Sequence, residues 1–231
     1  MEKGNANRYA LAKVTPQGDS PLKGKRFYWL GSSVTAGLFS YGEAVPEFLD
    51  ALYGCQSLKD AVSGTTLREK APHDDSYLWR LKEGKILKPH TPIDALICQL
   101  STNDAWDESL FGKITPKDCF DETAFDPKTT LGAIESICAF VKKNWDCPLF
   151  FYTGSFYCDF NGPAYQELVR SLYQLQEKWG FRIIDLFNDT AFNQSLPLPR
   201  NVLMHDGIHP FRAGYQLWWT PNFAKALSQK S

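Results

Sequence analysis

The chain has 231 residues, of which 43% are hydrophobic and 22% charged, with a formal net charge of −1. That length suffices for one domain with a sizeable core, and the composition is that of an ordered globular protein. Lys and Arg do not cluster among aromatic residues, so nucleic acid is not expected as a partner. No apolar run reaches the ~18 residues that a membrane span needs.

Residues 1–24 mix polar residues with Pro and Gly and lack the apolar stretch of a secretory signal. They read as an N-terminal arm on a single domain of residues 25–231, expected to be cytoplasmic. A first strand is predicted at Arg26–Leu30, followed by helical periodicity over Ala44–Tyr53. A second strand at Leu58–Val62, a helix at Tyr77–Ile86 and a third strand at Ala95–Leu100 come next. The connection Asp104–Lys128 is long, and Trp106, Phe111, Phe120 and Phe125 are spaced along it. Connections of that length in compact domains are functional or disordered. The aromatics favour order, and the expected place is over the active-site edge.

Beyond it the pattern predicts a helix at Leu131–Asn144, a strand at Leu149–Thr153, a helix at Tyr165–Trp179 and a strand at Arg182–Leu186. A last helix runs from Arg212 towards Leu227, and Pro221 must interrupt or kink it. Short apolar runs alternating with amphipathic stretches indicate an α/β fold with a mainly parallel five-stranded sheet. The cysteines, Cys55, Cys98, Cys119, Cys138, Cys147 and Cys158, show no C-x-x-C pair and no His at metal-ligand spacing. Reduced thiols are expected, buried above all at Cys98 and Cys138, which sit within apolar segments.

In an open parallel sheet, ligands bind beyond the carboxyl ends of the strands. Four such places carry suggestive groups: Gly31-Ser32-Ser33, Ser63-Gly64-Thr65, Ser101-Thr102-Asn103-Asp104, and the late Asp206-Gly207-Ile208-His209-Pro210. A serine hydroxyl becomes a nucleophile when an imidazole takes its proton, and the imidazole needs a partner to fix its tautomer. Asp-x-x-His spacing lets Asp206 reach Nδ1 of His209 and leaves Nε2 for Ser33. The backbone N–H groups of Ser33 and Gly64 and the Asn103 amide would then serve as oxyanion donors.

Each signal alone has a plainer meaning. Ser33 could be a capping hydroxyl, Asn103-Asp104 an Asx turn, and Asp206 a cap beside an exposed histidine. Their joint occurrence in order at strand ends is what points to chemistry. His73, His90 and His205 read as solvated or structural, and Trp218-Trp219 as core.

Together these blocks resemble those of the SGNH hydrolases, also called GDSL-type esterases and lipases, over residues 26 to about 215. The resemblance implies a flavodoxin-like three-layer α/β/α fold and a serine esterase working through an acyl-serine. It further implies Ser33 as nucleophile, Asp206 and His209 as base system, an oxyanion hole of Ser33, Gly64 and Asn103, and no metal or organic cofactor. It favours small acyl groups, such as acetyl on a carbohydrate, so the expected partner is a small-molecule or carbohydrate ester. Two positions depart from the family pattern: Ser32 stands where Asp is usual, and Ser101 where Gly is usual. Those departures motivate an alternative, a catalytically inactive binding module of the same fold for a sugar or acyl ligand. A flavodoxin-like nucleotide or phosphate binder would share the sheet but lacks a Gly-rich phosphate loop.

Overall fold

A computed structural model describes residues 2–157 and 162–229 of the chain. Its sheet contains β1 (Arg26–Gly31), β2 (Gln56–Ala61), β3 (Ala95–Gln99), β4 (Leu149–Tyr152) and β5 (Arg182–Ile184), in the order β2-β1-β3-β4-β5. Every pair is parallel. Successive side chains of a strand point to opposite faces. Tyr28, Leu30, Leu96, Cys98, Leu149 and Phe151 therefore enter one core, and Phe27, Trp29, Ala95, Ile97, Phe150 and Tyr152 the other. Because both faces are covered, these strands read as continuous apolar runs rather than alternating ones.

The helices are α1 (Ser33–Ala36), α2 (Val45–Tyr53), α3 (Tyr77–Glu83), α4 (Thr130–Asn144), α5 (Gly162–Trp179), α6 (Thr190–Gln194), α7 (Arg200–Leu203), α8 (Arg212–Gly214) and α9 (Thr220–Ser228). Residues of α3, α4 and α5 pack on the first face, and those of α2, α9 and the N-terminal arm on the second, giving three α/β/α layers. The connection from β1 to β2 crosses one face through α2, and that from β2 to β3 crosses the other through α3. The sheet order thus reverses between β1 and β3, which opens a crevice at their carboxyl ends.

Pro221 neither breaks the last helix nor stands inside a regular one. It occupies the first turn of α9, and the π turn at Tyr215–Trp219 just before it, which joins α8 to α9, is where the regular α-helix is interrupted. The wider turn buries both Trp218 and Trp219. Trp218 stacks on Phe192 with ring centroids 4.4 Å apart and donates from Nε1 to the Phe192 carbonyl. The tandem tryptophans are core.

The long connection is ordered through short 3₁₀ turns, but it does not lie over the active-site edge. Phe120 and Phe125 pack edge-on against Trp179 at the C-terminal end of α5, the end that leads into the amino edge of β5. The segment is drawn there by a buried polar knot. Lys178 Nζ meets Glu135 Oε1 at 2.6 Å and Thr115 Oγ1 at 2.6 Å, and the Thr115 N–H donates to Glu135 Oε2 at 3.0 Å. A buried ion pair holds only when its remaining hydrogen bonds are satisfied, and Thr115 satisfies them. Trp106, in the 3₁₀ turn that also holds Asn103, is 62% exposed.

Cys55, Cys98 and Cys138 are buried free thiols, and burial pushes all three up, Cys55 to about 12. Cys119 and Cys147 are partly exposed, and Cys158 lies outside the described residues. Among the described residues no helix is long and apolar enough to cross a membrane.

Candidate active site

Strand β1 ends at Gly31, and the chain turns at once into α1, whose first residue is Ser33. The turn is tight: a Cβ on Gly31 would sit 1.7 Å from Thr35 Oγ1, so only glycine lets the strand end and the helix approach this closely. Gln99, the last residue of β3, fixes the turn. Its Oε1 accepts from the Ser32 N–H at 3.0 Å, the Thr35 N–H at 3.3 Å and the Thr35 hydroxyl at 2.8 Å. Thr35 Oγ1 in turn lies 2.6 Å from the Tyr152 hydroxyl at the end of β4. Tyr215 closes the other side by donating to the Val34 carbonyl at 2.6 Å. These groups are buried, so each partnerless donor would cost about 1–3 kcal/mol.

Ser32 is fully buried beside Tyr77, and neither hydroxyl closes a well-formed hydrogen bond. Its side chain does not cap α1. Behind it Arg80 ties Asp60, through an ion pair, to the Gly31 carbonyl, which accepts from Nη2 at 2.7 Å. Tyr28 donates to the same Asp60 at 2.5 Å.

The base loop is built differently. Met204 and Pro210 form an isolated antiparallel bridge, and the His205 N–H donates to the His209 carbonyl at 2.8 Å, so residues 205–209 are a short closed turn. Inside it Asp206 Oδ1 accepts from the backbone N–H groups of Ile208 and His209 at 2.7 and 2.6 Å. Asp206 Oδ2 meets His209 Nδ1 at 2.9 Å, and His209 Nε2 meets Ser33 Oγ at 2.8 Å. Asp206 is therefore both the local cap of the plainer reading and the partner of the imidazole. Partial burial alone would push its carboxyl up. The His209 ring and the backbone N–H groups of His209 and Ile208 outweigh that and hold it down, at about 2.

The remaining predicted donors meet one another. Gly64 follows β2 with φ of +81°, a conformation that an L side chain strains to adopt. Asn103 Nδ2 donates to the carbonyl of the next residue, Thr65, at 2.8 Å, and Ser101 Oγ accepts from the Asn103 N–H at 3.1 Å. One of the two amide hydrogens of Asn103 is thus engaged. Asp104 is buried and faces away from this edge. Its carboxylate accepts from the Leu67 N–H at 2.8 Å and the Thr130 hydroxyl at 3.0 Å, tying the loops after β2 and β3 to the start of α4. Burial pushes its carboxyl up.

Ser33 touches His209 and His209 touches Asp206, while Asn103 bonds to the residue after Gly64, the loops leaving β2 and β3 meeting across the end of β1 at the same edge. Sequence reasoning missed Gln99, although one polar residue in the apolar run Ala95–Leu100 was a visible signal. It missed Phe39 as well, whose ring lies edge-on to His209 at 5.3 Å and stacks on His205 at 3.7 Å. His205 stacks on Phe39, and His73 Nδ1 accepts from Trp79 Nε1. A cleft of about 580 Å³ opens beside Asp206, bordered by Phe156, Arg200, Asn201 and His205. Among the described residues no three His, Cys, Asp or Glu side chains converge as a metal site requires.

The architecture is shared with known structures. A protein from Lactobacillus plantarum superposes with a TM-score of 0.68 at 19% identity, covering 89% of this chain and 97% of that one. A member of the lipolytic protein G-D-S-L family from Veillonella parvula gives 0.62 at 14% identity, covering 89% of this chain and 100% of that one. Axe2, an acetylxylan esterase from Geobacillus stearothermophilus, gives 0.59 at 16% identity, covering 92% and 98%. At such identities the likeness is one of fold. A search of curated protein sequences finds no match to the chain. The sequence profile of the GDSL-like Lipase/Acylhydrolase family matches residues 29–217. With most of its length so matched, the chain belongs to the GDSL-like lipase/acylhydrolase family.

Proposed function

We propose that the chain is a serine esterase that hydrolyses small acyl esters, acetyl on a carbohydrate being the favoured case, through an acyl-serine intermediate. The observation that carries this reading is the unbroken line from Asp206 through His209 to Ser33, with contacts of 2.9 and 2.8 Å. His209 Nε2 takes the Ser33 proton as Oγ attacks the acyl carbonyl, and Asp206 stabilises the imidazolium that forms. The Ser33 and Gly64 N–H groups and the second amide hydrogen of Asn103 receive the tetrahedral oxyanion, each such donor typically worth ~10²–10³ in rate. The imidazolium then protonates the leaving alkoxide. His209 next draws a proton from water as it attacks the acyl-serine, and the imidazolium returns that proton to Ser33 Oγ as the acyl–Oγ bond breaks and the acid leaves.

The acetylxylan esterase of similar fold supports the choice of acyl and alcohol. So does the cleft beside Asp206, where Arg200, Asn201 and His205 place polar groups next to the Phe156 ring. Such a wall suits a polyhydroxylated alcohol better than a lipid tail.

Labelling with a fluorophosphonate and hydrolysis of p-nitrophenyl acetate, butyrate and octanoate test the proposal. Wild type is expected to label at Ser33 and to prefer acetate, and Ser33→Ala to do neither. Equal labelling of the two proteins would reject Ser33, and labelling of neither would favour the inactive binding module. A preference for octanoate would reject the small acyl group.

A further inference from the structure

The N-terminal arm reaches the chemistry. Its first turns, Lys3–Asn5, Asn7–Tyr9 and Leu11–Lys13, lie across two loops, one leaving Ser33 and the other leaving His209. Asn5 is 6% exposed and joins both loops with one side chain. Its Nδ2 donates to the Phe39 carbonyl at 2.8 Å, and its Oδ1 accepts from the Arg212 N–H at 3.1 Å. A second junction runs beside it. Glu43, in the loop after α1, accepts from the Leu11 N–H at 2.8 Å and from Arg212 Nη2 at 2.6 Å. Arg212 also lies over the Tyr41 ring at 4.6 Å. At the start of the arm, Glu2 approaches His205 at 3.7 Å.

We infer that the arm is a clasp that sets the distance between Ser33 and His209, with Asn5 as its principal positioning residue. The route is short. Phe39, whose carbonyl Asn5 holds, carries the ring that lies against the His209 imidazole. Arg212, whose N–H Asn5 holds, stands three positions beyond His209. Residues 33 and 209 come from elements 176 positions apart. The base turn is closed on itself, so it can move as a unit relative to α1 unless an outside group ties the two. Asn5 supplies one such tie, beside those of Tyr215 to Val34 and Arg212 to Glu43, with a buried donor and a buried acceptor used at once. A displacement of about 1 Å at a reacting centre costs up to ~10²-fold in rate.

The inference rests on the Ser33 esterase reading, and fluorophosphonate labelling separates the two. In the full chain, well below the unfolding midpoint of each protein, Asn5→Ala is expected to lower the labelling rate and the kcat for p-nitrophenyl acetate by ~10- to 100-fold, with KM within about twofold of wild type. A purely structural Asn5 would lower the midpoint and leave kcat unchanged. Asn5→Asp provides a second readout. Ionised, the new carboxyl can accept from Arg212 but repels the Phe39 carbonyl; protonated, it can donate to that carbonyl and restore both bonds. Its activity divided by that of wild type should therefore rise as pH falls, while the Asn5→Ala ratio stays flat. Arg212, Glu43, Glu2, His205 and His209 surround the site in all three proteins and cancel in the ratios. Wild type that labels at Ser33, together with Asn5 variants that match it in kcat, would overturn the clasp alone. Wild type that does not label would overturn both readings.

Discussion

The two halves of the candidate site are held by opposite means. Ser33 leaves a turn whose polar groups are buried and bonded across three strands, through Gln99, Thr35 and Tyr152. Asp206 and His209 sit on a closed surface turn, where the Asp206 side chain is 43% exposed and the bonds are local. The contrast teaches that the nucleophile is located by the sheet, while the base is located by its own loop and by whatever ties that loop down. Damage to the first half should cost both stability and rate. Damage to the second should cost mainly rate.

The sharpest separation is expected from Asp206→Asn. The amide can still accept the two backbone N–H bonds, but it cannot stabilise an imidazolium, so kcat should fall by ~10³–10⁴-fold. The thermal midpoint should move by no more than about 2 °C, which corresponds to about 0.5–1 kcal/mol in a chain of this size. A large fall in midpoint would erase the distinction between the halves. Gln99→Leu should do the reverse in kind. It strands the Ser32 N–H and the Thr35 N–H in the interior, while the Thr35 hydroxyl keeps Tyr152, and a loss of about 3 kcal/mol is expected in urea unfolding. Full stability in that variant would show that the turn is held by packing alone.

The smallest effect is one of pH. Against the upward push of partial burial, folding holds the Asp206 carboxyl below the usual carboxylate range, at about 2, because the His209 ring and the backbone N–H groups of His209 and Ile208 bond to its ionised form. A group lowered in the folded state binds more protons when unfolded, so its contribution is fully present above pH ~4 and fades as pH falls towards 2. The stability difference between wild type and Asp206→Asn should be constant above that window and shrink within it. Because the carboxylate is partly solvated, the difference is modest. A difference that grew on acidification would contradict the lowered carboxyl.

Much of this was legible in the sequence, and the reasons are physical. The strands announced themselves because both faces of the sheet are buried, which makes Ala95–Leu100 and Leu149–Thr153 continuous apolar runs. Asp206 and His209 could be paired because their contact is local, at a spacing of three. What could not be read depends on partners distant in sequence. Thr115 finds Lys178 63 positions away, so the aromatics of the long connection signalled order but not location. Asn5 bonds to Arg212 207 positions away, and nothing in residues 1–24 marks that asparagine. The expected ends of β2 and α3 slipped by two or three residues, β2 starting at Gln56 and α3 stopping at Glu83 where Gly84 closes it.

The close approach of Gly31 to Thr35 reaches beyond the single protein. Any residue with a Cβ at position 31 would collide with the Thr35 hydroxyl and lie 2.5 Å from the Thr35 Cβ, so a first mutation there is admissible only in a background that has already lost the whole Thr35 side chain. Losing it first leaves Gln99 and Tyr152 without their shared partner. The two positions are thus epistatic, with a fitness valley on either side, and lineages carrying this glycine and threonine should keep or exchange them as a pair.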